Sequence, residues 1–210
     1  MLYKETVTNT TLELIIKLQK DTEFKNFILV GGTALALQIG HRISVDIDFF
    51  TRDHFNTNEM LEYLEENYDF KMQFSHKNTL KGIIHGVFVD FITHDYKEIA
   101  SPVKEQNIIM ASKPDIAAMK VNAITGDGTR VKDFIDIYFL LKEYEFSELI
   151  SFYKDKYQTR NDFHAVKSLA FFDDIIQEEW PEMIKDKDLT LDKIQNTIIQ
   201  ERDKFLESYT

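Results

Sequence analysis

Short apolar runs closed by glycine, and longer stripes of helical period, divide the chain. Residues 27–30, FILV, form an apolar run with branched members, which suits a buried strand. Gly31 and Gly32 end it, because glycine tolerates positive φ and lets a backbone approach a ligand closely. Residues 33–38, TALALQ, are mostly strong helix formers, with Thr33 as the expected N-cap. After Gly40, His41 and Arg42, residues 43–50, ISVDIDFF, read as a second strand. Alternation sends Ser44, Asp46 and Asp48 to one face and Val45, Ile47 and Phe49 to the other. The apolar set then packs on a core and leaves two carboxylates side by side.

The flanking pattern is simpler. Residues 3–20 predict a helix, with Leu12, Leu14, Ile15, Ile16 and Leu18 as its apolar stripe. Residues 56–68 predict an amphipathic helix, and residues 70–75 a strand. Residues 82–92, GIIHGVFVDFI, read as the second arm of a hairpin, with Asp90 as the charge in an otherwise apolar strand. Pro102 and Pro114 bracket an expected change of domain between residues 95 and 112. Residues 115–125 predict a helix whose apolar face, Ile116, Met119, Ala123 and Ile124, has Lys120 at its centre. Residues 129–144 predict a helix that is apolar on most sides. Its polar residues Lys132, Asp133 and Asp136 share one sector. From residue 148 onward the chain reads as helical, with Phe163, Leu169, Phe171, Phe172, Ile175, Ile176 and Trp180 as core and Trp180-Pro181 as the one break. No repeat or low-complexity linker is present.

Composition narrows the class. The 210 residues suffice for a sizeable core, as one large or two small domains. A hydrophobic share of 43% with 17 phenylalanines indicates a folded globule. The absence of cysteine excludes disulfides and cysteine chemistry, and fits a cytoplasmic protein. The N-terminal residues lack the apolar core of a secretory signal, and no apolar run approaches the roughly 20 residues of a membrane helix. A net charge of −11 disfavours broad nucleic-acid binding. Local basic stretches remain, at Lys113, Lys120, Arg130 and Lys132, and at Lys154, Lys156, Arg160 and Lys167.

The candidate chemistry follows from the acids. Adjacent carboxylates repel unless a cation lies between them. Mg²⁺ takes one or two carboxylates together with substrate phosphates. The glycine turn, with a helix N-terminus behind it, offers N–H groups to phosphate oxygens. A buried Asp90 needs a partner, a proton or a metal. Lys120 either snorkels to water or binds a phosphate as a point charge. The polar strip of the 129–144 helix is either a solvated face or a second set of cleft residues.

The pattern of an apolar strand, Gly31-Gly32, a thirteen-residue spacer from Thr33 to Val45, and Asp46-Ile47-Asp48, written out as GGTALALQ…HRISVDIDFF, resembles the polymerase-beta-type nucleotidyltransferase superfamily. It is similar in finer detail to its AbiEii/AbiGii toxin branch. KPDIAAMKVNAI, RVKDFIDIYFLL and SLAFFDDIIQEEWP carry the same resemblance, which spans roughly residues 25–185. It implies an α+β fold, with a mixed-sheet lobe over residues 1–100 and a helical lobe over 101–210 that completes a cleft. It implies transfer of NMP from an NTP with Mg²⁺ as cofactor, as two ions, or Mn²⁺ in their place. Asp46, Asp48 and Asp90 would be the metal ligands. Gly31, Gly32, Arg42 and Ser44 would grip the triphosphate. Lys120 and Lys132 would bind nucleotide, and Lys120 and Asp136 would act in catalysis. The implied partners are an NTP, an RNA acceptor such as a tRNA 3′ end, and a cognate antitoxin. Transfer to a protein hydroxyl or a small molecule, and a nucleotide-binding protein without turnover, are the competing readings.

Overall fold

The computed structural model describes residues 1–208 and divides into two compact units, residues 1–97 with 102–111, and residues 98–101 with the chain from Ser112 onward. The first unit opens with a 3₁₀ turn, Lys4–Thr6, and a helix α1, Asn9–Lys20. The single helix predicted over residues 3–20 is broken because Val7 is extended and Thr8 caps α1, accepting from the Thr11 N–H at 3.1 Å. Then come β1 (Ile28–Val30), α2 (Gly31–Ile39), β2 (Ile47–Thr51), α3 (Thr57–Tyr68), β3 (Lys71–His76), β4 (Thr79–Ile84), β5 (Val87–Thr93), β6 (Val103–Glu105) and β7 (Ile108–Met110). They form one mixed sheet in the order β3-β4-β5-β2-β1-β7-β6. β2 runs parallel to β5 and β1 parallel to β7, and the other neighbours are antiparallel.

Aromatic packing holds the register at the centre of this sheet. Phe49 and Phe91 are register neighbours on β2 and β5, stacked with ring centres 5.8 Å apart. Phe24 stacks on Phe91 at 5.1 Å, and its edge meets Tyr63 and Tyr68 of α3. Ile47, Leu80, Ile84 and Val89 are buried on the same face as Phe49 and Phe91. Shifting β2 by one residue would turn Phe49 out and Asp48 in. The phenylalanines therefore set the register of the strands that carry the acids.

Three expectations change in this unit. Residues 82–92 are not one arm: β4 and β5 are two arms joined at His85 and Gly86, whose φ values of 50° and 83° suit a tight hairpin turn. The strand predicted over residues 43–50 begins only at Ile47. Residues 44–46 are held outside the ladder, where Ser44 N–H bonds the Thr6 carbonyl and Thr33 reaches the Asp46 carbonyl. Val45 is consequently 52% exposed and not part of the core. The sheet also extends past the boundary expected at residue 100, because β6 and β7 pair back beside β1.

The second unit is helical: α4 (Lys113–Gly126), α5 (Val131–Leu140), α6 (Phe146–Tyr157), α7 (Asp162–Leu169) and α8 (Leu191–Glu207). Ser112 caps α4, with Pro114 in its first turn. α4 packs against α5, α6 and α7, and α8 against α5 and α6. Asp115 and Lys156 form a buried pair at 2.7 Å, and Asp115 also accepts from Ser112 Oγ and from the backbone of Ile99 and Ala100. Between α7 and α8 the only helical element is a 3₁₀ turn, Gln177–Glu179. No long helix gathers the apolar residues of that stretch onto one stripe. Phe171 and Ile176 are exposed as a result, as is Phe163 at the start of α7, although all three read as core in the sequence. Among the described residues, no helix is long and apolar enough to cross a membrane.

Candidate active site

The site grows from the point where β1 becomes α2. The helix begins at Gly31, with Val30 before it, so Thr33 lies inside the first turn and is not the N-cap. Its hydroxyl instead donates to the Asp46 carbonyl and shares a hydrogen bond with Ser44 Oγ at 2.9 Å. The start of α2 is thereby tied to the segment that leads into β2. Gly31 has φ 69°, and a Cβ there would collide with the Asp48 carboxylate. A Cβ on Gly32 would collide with the Arg42 guanidinium and press on Ser44 Oγ. Arg42 and Ser44 are both buried, and Arg42 Nη1 donates to the Ile43 carbonyl at 3.1 Å. The two glycines are thus where Asp48 and Arg42 meet the backbone.

The sheet adds the rest. Val30 pairs with Asp48, Asp48 with Asp90, Asp90 with Lys81, and Lys81 with Phe74. Register partners on adjacent strands share a face and lie about 5 Å apart. One row across five strands therefore brings Asp48 beside Asp90, with Lys81 Nζ in contact with Asp90 Oδ2. Asp46 is half-buried just ahead of β2. It does not close with the other two into a ready cage, and among the described residues no three His, Cys, Asp or Glu side chains are grouped to hold a metal. Mg²⁺ needs only one or two carboxylates beside phosphates and water, so Asp48 and Asp90 are the side chains available here to hold one.

Lys81 is the residue that sequence reasoning missed. The available signal was the hairpin. A two-residue turn at His85 and Gly86 pairs Ile84 with Val87, and so Lys81 with Asp90.

The second unit gathers the other predicted residues. Lys120 Nζ lies 2.6 Å from Asp133 Oδ1 and 2.7 Å from Asp136 Oδ2, and all three side chains are buried. Asp133 therefore stands on the same footing as Asp136 towards Lys120. Lys132 lies outside this cluster, half-buried with its Nζ 3.8 Å from Glu179.

The family described as nucleotidyl transferase AbiEii toxin, type IV toxin–antitoxin system, matches residues 14–87 and 82–207. The chain belongs to the AbiEii nucleotidyltransferase toxin family. An uncharacterized protein of Aquifex aeolicus (strain VF5) is 33% identical over 167 residues, covering 75% of this chain and 79% of that protein. Among solved structures, MenT4, a nucleotidyltransferase toxin of Mycobacterium tuberculosis, superposes with a TM-score of 0.58 at 13% identity, covering 90% of this chain and 79% of the other. JHP933 of Helicobacter pylori gives 0.52 at 19% identity, covering 95% and 92%. At these identities the likeness concerns the fold. This AbiEii-family nucleotidyltransferase thus has the mixed-sheet and helical architecture, and the transferase chemistry, that its motifs led us to expect.

Proposed function

We propose that the chain transfers a nucleoside monophosphate from an NTP to a hydroxyl of an RNA acceptor, and that it acts as the toxin of a toxin–antitoxin pair with a cognate antitoxin protein. The observation that supports this best is the register pair Asp48–Asp90 against the Gly31 turn. Asp48 and Asp90, with Asp46 adjoining, would hold divalent metal. Bound metal would neutralise charge on the attacking and leaving oxygens of the displacement. The chain's own part is binding and orientation. The Gly31–Gly32 backbone, Arg42 and Ser44 grip the triphosphate, donating to its oxygens at the start of α2. Asp90 holds the acceptor hydroxyl in line with the α-phosphorus. The acceptor oxygen bonds to that phosphorus, the bond to the pyrophosphate oxygen breaks, and the hydroxyl proton leaves to solvent. In the helical unit, Lys120 is buried between Asp133 and Asp136, which already neutralise its ammonium, so we assign the trio to the packing of that unit.

Incubation with each labelled NTP, Mg²⁺ and total RNA tests this. Label should enter RNA, with pyrophosphate released. Asp48→Asn and Asp90→Asn should each lower transfer more than about 100-fold, the loss expected when several kcal/mol of charge stabilisation disappears. Transfer at the wild-type rate by folded Asp48→Asn would rule the assignment out.

A further inference from the structure

We infer that the open sheet face beyond Asp90, carrying Lys81, Phe74 and Phe88, is an acceptor subsite that stacks the terminal nucleobase of a single-stranded nucleic acid and pairs with its phosphate. This rests on the transferase reading above. The row Val30–Asp48–Asp90–Lys81–Phe74 has two unlike ends. At the Val30 end lie the glycine turn, Arg42 and Ser44, which suit a triphosphate. At the other end lie an ammonium and a half-exposed aromatic ring. In an in-line displacement the attacking and leaving oxygens stand on opposite sides of the phosphorus. With the triphosphate over the glycines, the attacking group arrives from the Lys81 side.

The spacing fits one nucleotide. Lys81 and Phe74 are one and two strands beyond Asp90, roughly 5 and 10 Å away. A terminal hydroxyl at Asp90 would leave its phosphate near Lys81 and its base near Phe74. Phe74 and Phe88 are each 50% exposed, and Phe88 lies two residues from Asp90 on the same face. Lys71, register partner of Ile83, adds a second exposed ammonium to that face. Exposed aromatic rings interleaved with lysines on a sheet face bind single strands by stacking and phosphate contact. A protein strand adding to the β3 edge suits this surface less. The irregularity between Met72 and Phe74, and the lysines at 71 and 77, blunt that edge.

The test uses the full chain and a short fluorescent RNA ending in a 3′ hydroxyl. Phe74→Ala should raise the acceptor KM and weaken RNA binding about tenfold, the effect of losing one base stack. The NTP KM should stay at its wild-type value, and Phe74→Trp should restore binding. An RNA with an abasic terminal nucleotide should bind wild type as weakly as intact RNA binds Phe74→Ala. Unchanged RNA affinity and acceptor KM in both Phe74→Ala and Phe88→Ala would overturn the subsite. So would label carried to a protein by an enzyme that binds no RNA. If wild type transfers nothing to any acceptor while Phe74→Ala still loses RNA binding, the transferase reading fails and the nucleic-acid site stands.

Discussion

At the scale of single residues, the site depends on what is missing at Gly31. A side chain there would meet the Asp48 carboxylate, and the backbone φ of 69° is one that L residues rarely adopt. Gly31→Ala should therefore cost about 1–3 kcal/mol in urea unfolding, the range for a strained backbone residue. It should also displace Asp48, so that transfer falls further than the lost stability explains. Comparing unfolding midpoints with rates at a temperature where the variant is fully folded separates the two effects. Lys120 is the reverse case, a residue whose presence matters to the fold. Its ammonium is buried between Asp133 and Asp136. Lys120→Ala removes the buried cation from two buried carboxylates and should destabilise the chain by about 3–5 kcal/mol. Lost activity in that variant carries meaning only at matched folded fraction.

At the scale of elements, packing decides which acids meet. The pairing of β2 with β5 matters because Phe49 and Phe91 stack one step away from Asp48 and Asp90. Phe91→Ala should cost about 3–5 kcal/mol, visible as a lower unfolding midpoint. Phe91 also carries the stack with Phe24, so the loss should spread to the packing of α3 through Tyr63 and Tyr68. In the helical unit, Lys156 of α6 is paired with Asp115 of α4, which also holds the backbone of Ile99 and Ala100. Burial pushes the Asp115 carboxyl up, but Lys156, Ser112 and the Ile99 amide outweigh it and hold the pKa below its ordinary 3.8. A carboxyl lowered in the folded state stabilises the protein above its unfolded pKa and loses that contribution as pH falls through the folded value. The stability gap between wild type and Asp115→Asn should thus be full at pH 7 and narrow steadily below about pH 4. Urea titrations at pH 7, 5 and 3 would measure it.

At the scale of the whole molecule, charge and topology set the limits. The chain carries −11, and residues 173–210 hold eleven acids against five bases. A molecule of that charge would not hold RNA by bulk attraction, so the RNA binding we propose would rest on few phosphate contacts and on stacking. With Lys71 and Lys81 as the contacts, log affinity against log salt should fall with a slope of about −1.4. A slope several times steeper would place the RNA elsewhere. Much of the fold was legible in order. The FILV run, the double glycine, α2 and the Pro114 start of α4 are local signals, and the motifs carried the family. Long-range pairing was not legible. β6 and β7 are three residues each and join the sheet only because β1 offers them an open neighbour. Residues 44–46 alternate as a strand does, yet Thr33 and Thr6 hold them out of the ladder.

The linear order of side chains thus determined which residues are candidates for the chemistry: two glycines, two acids two positions apart and a lone aspartate in an apolar strand. Periodicity encodes the face of an element, and that much is local. Which of those acids become neighbours, and that Lys81 stands beside Asp90, was decided only when β4, β5 and β2 paired in register. Register is fixed by hairpin geometry and by the buried phenylalanines behind the sheet, and those contacts join residues that lie tens of positions apart in the chain.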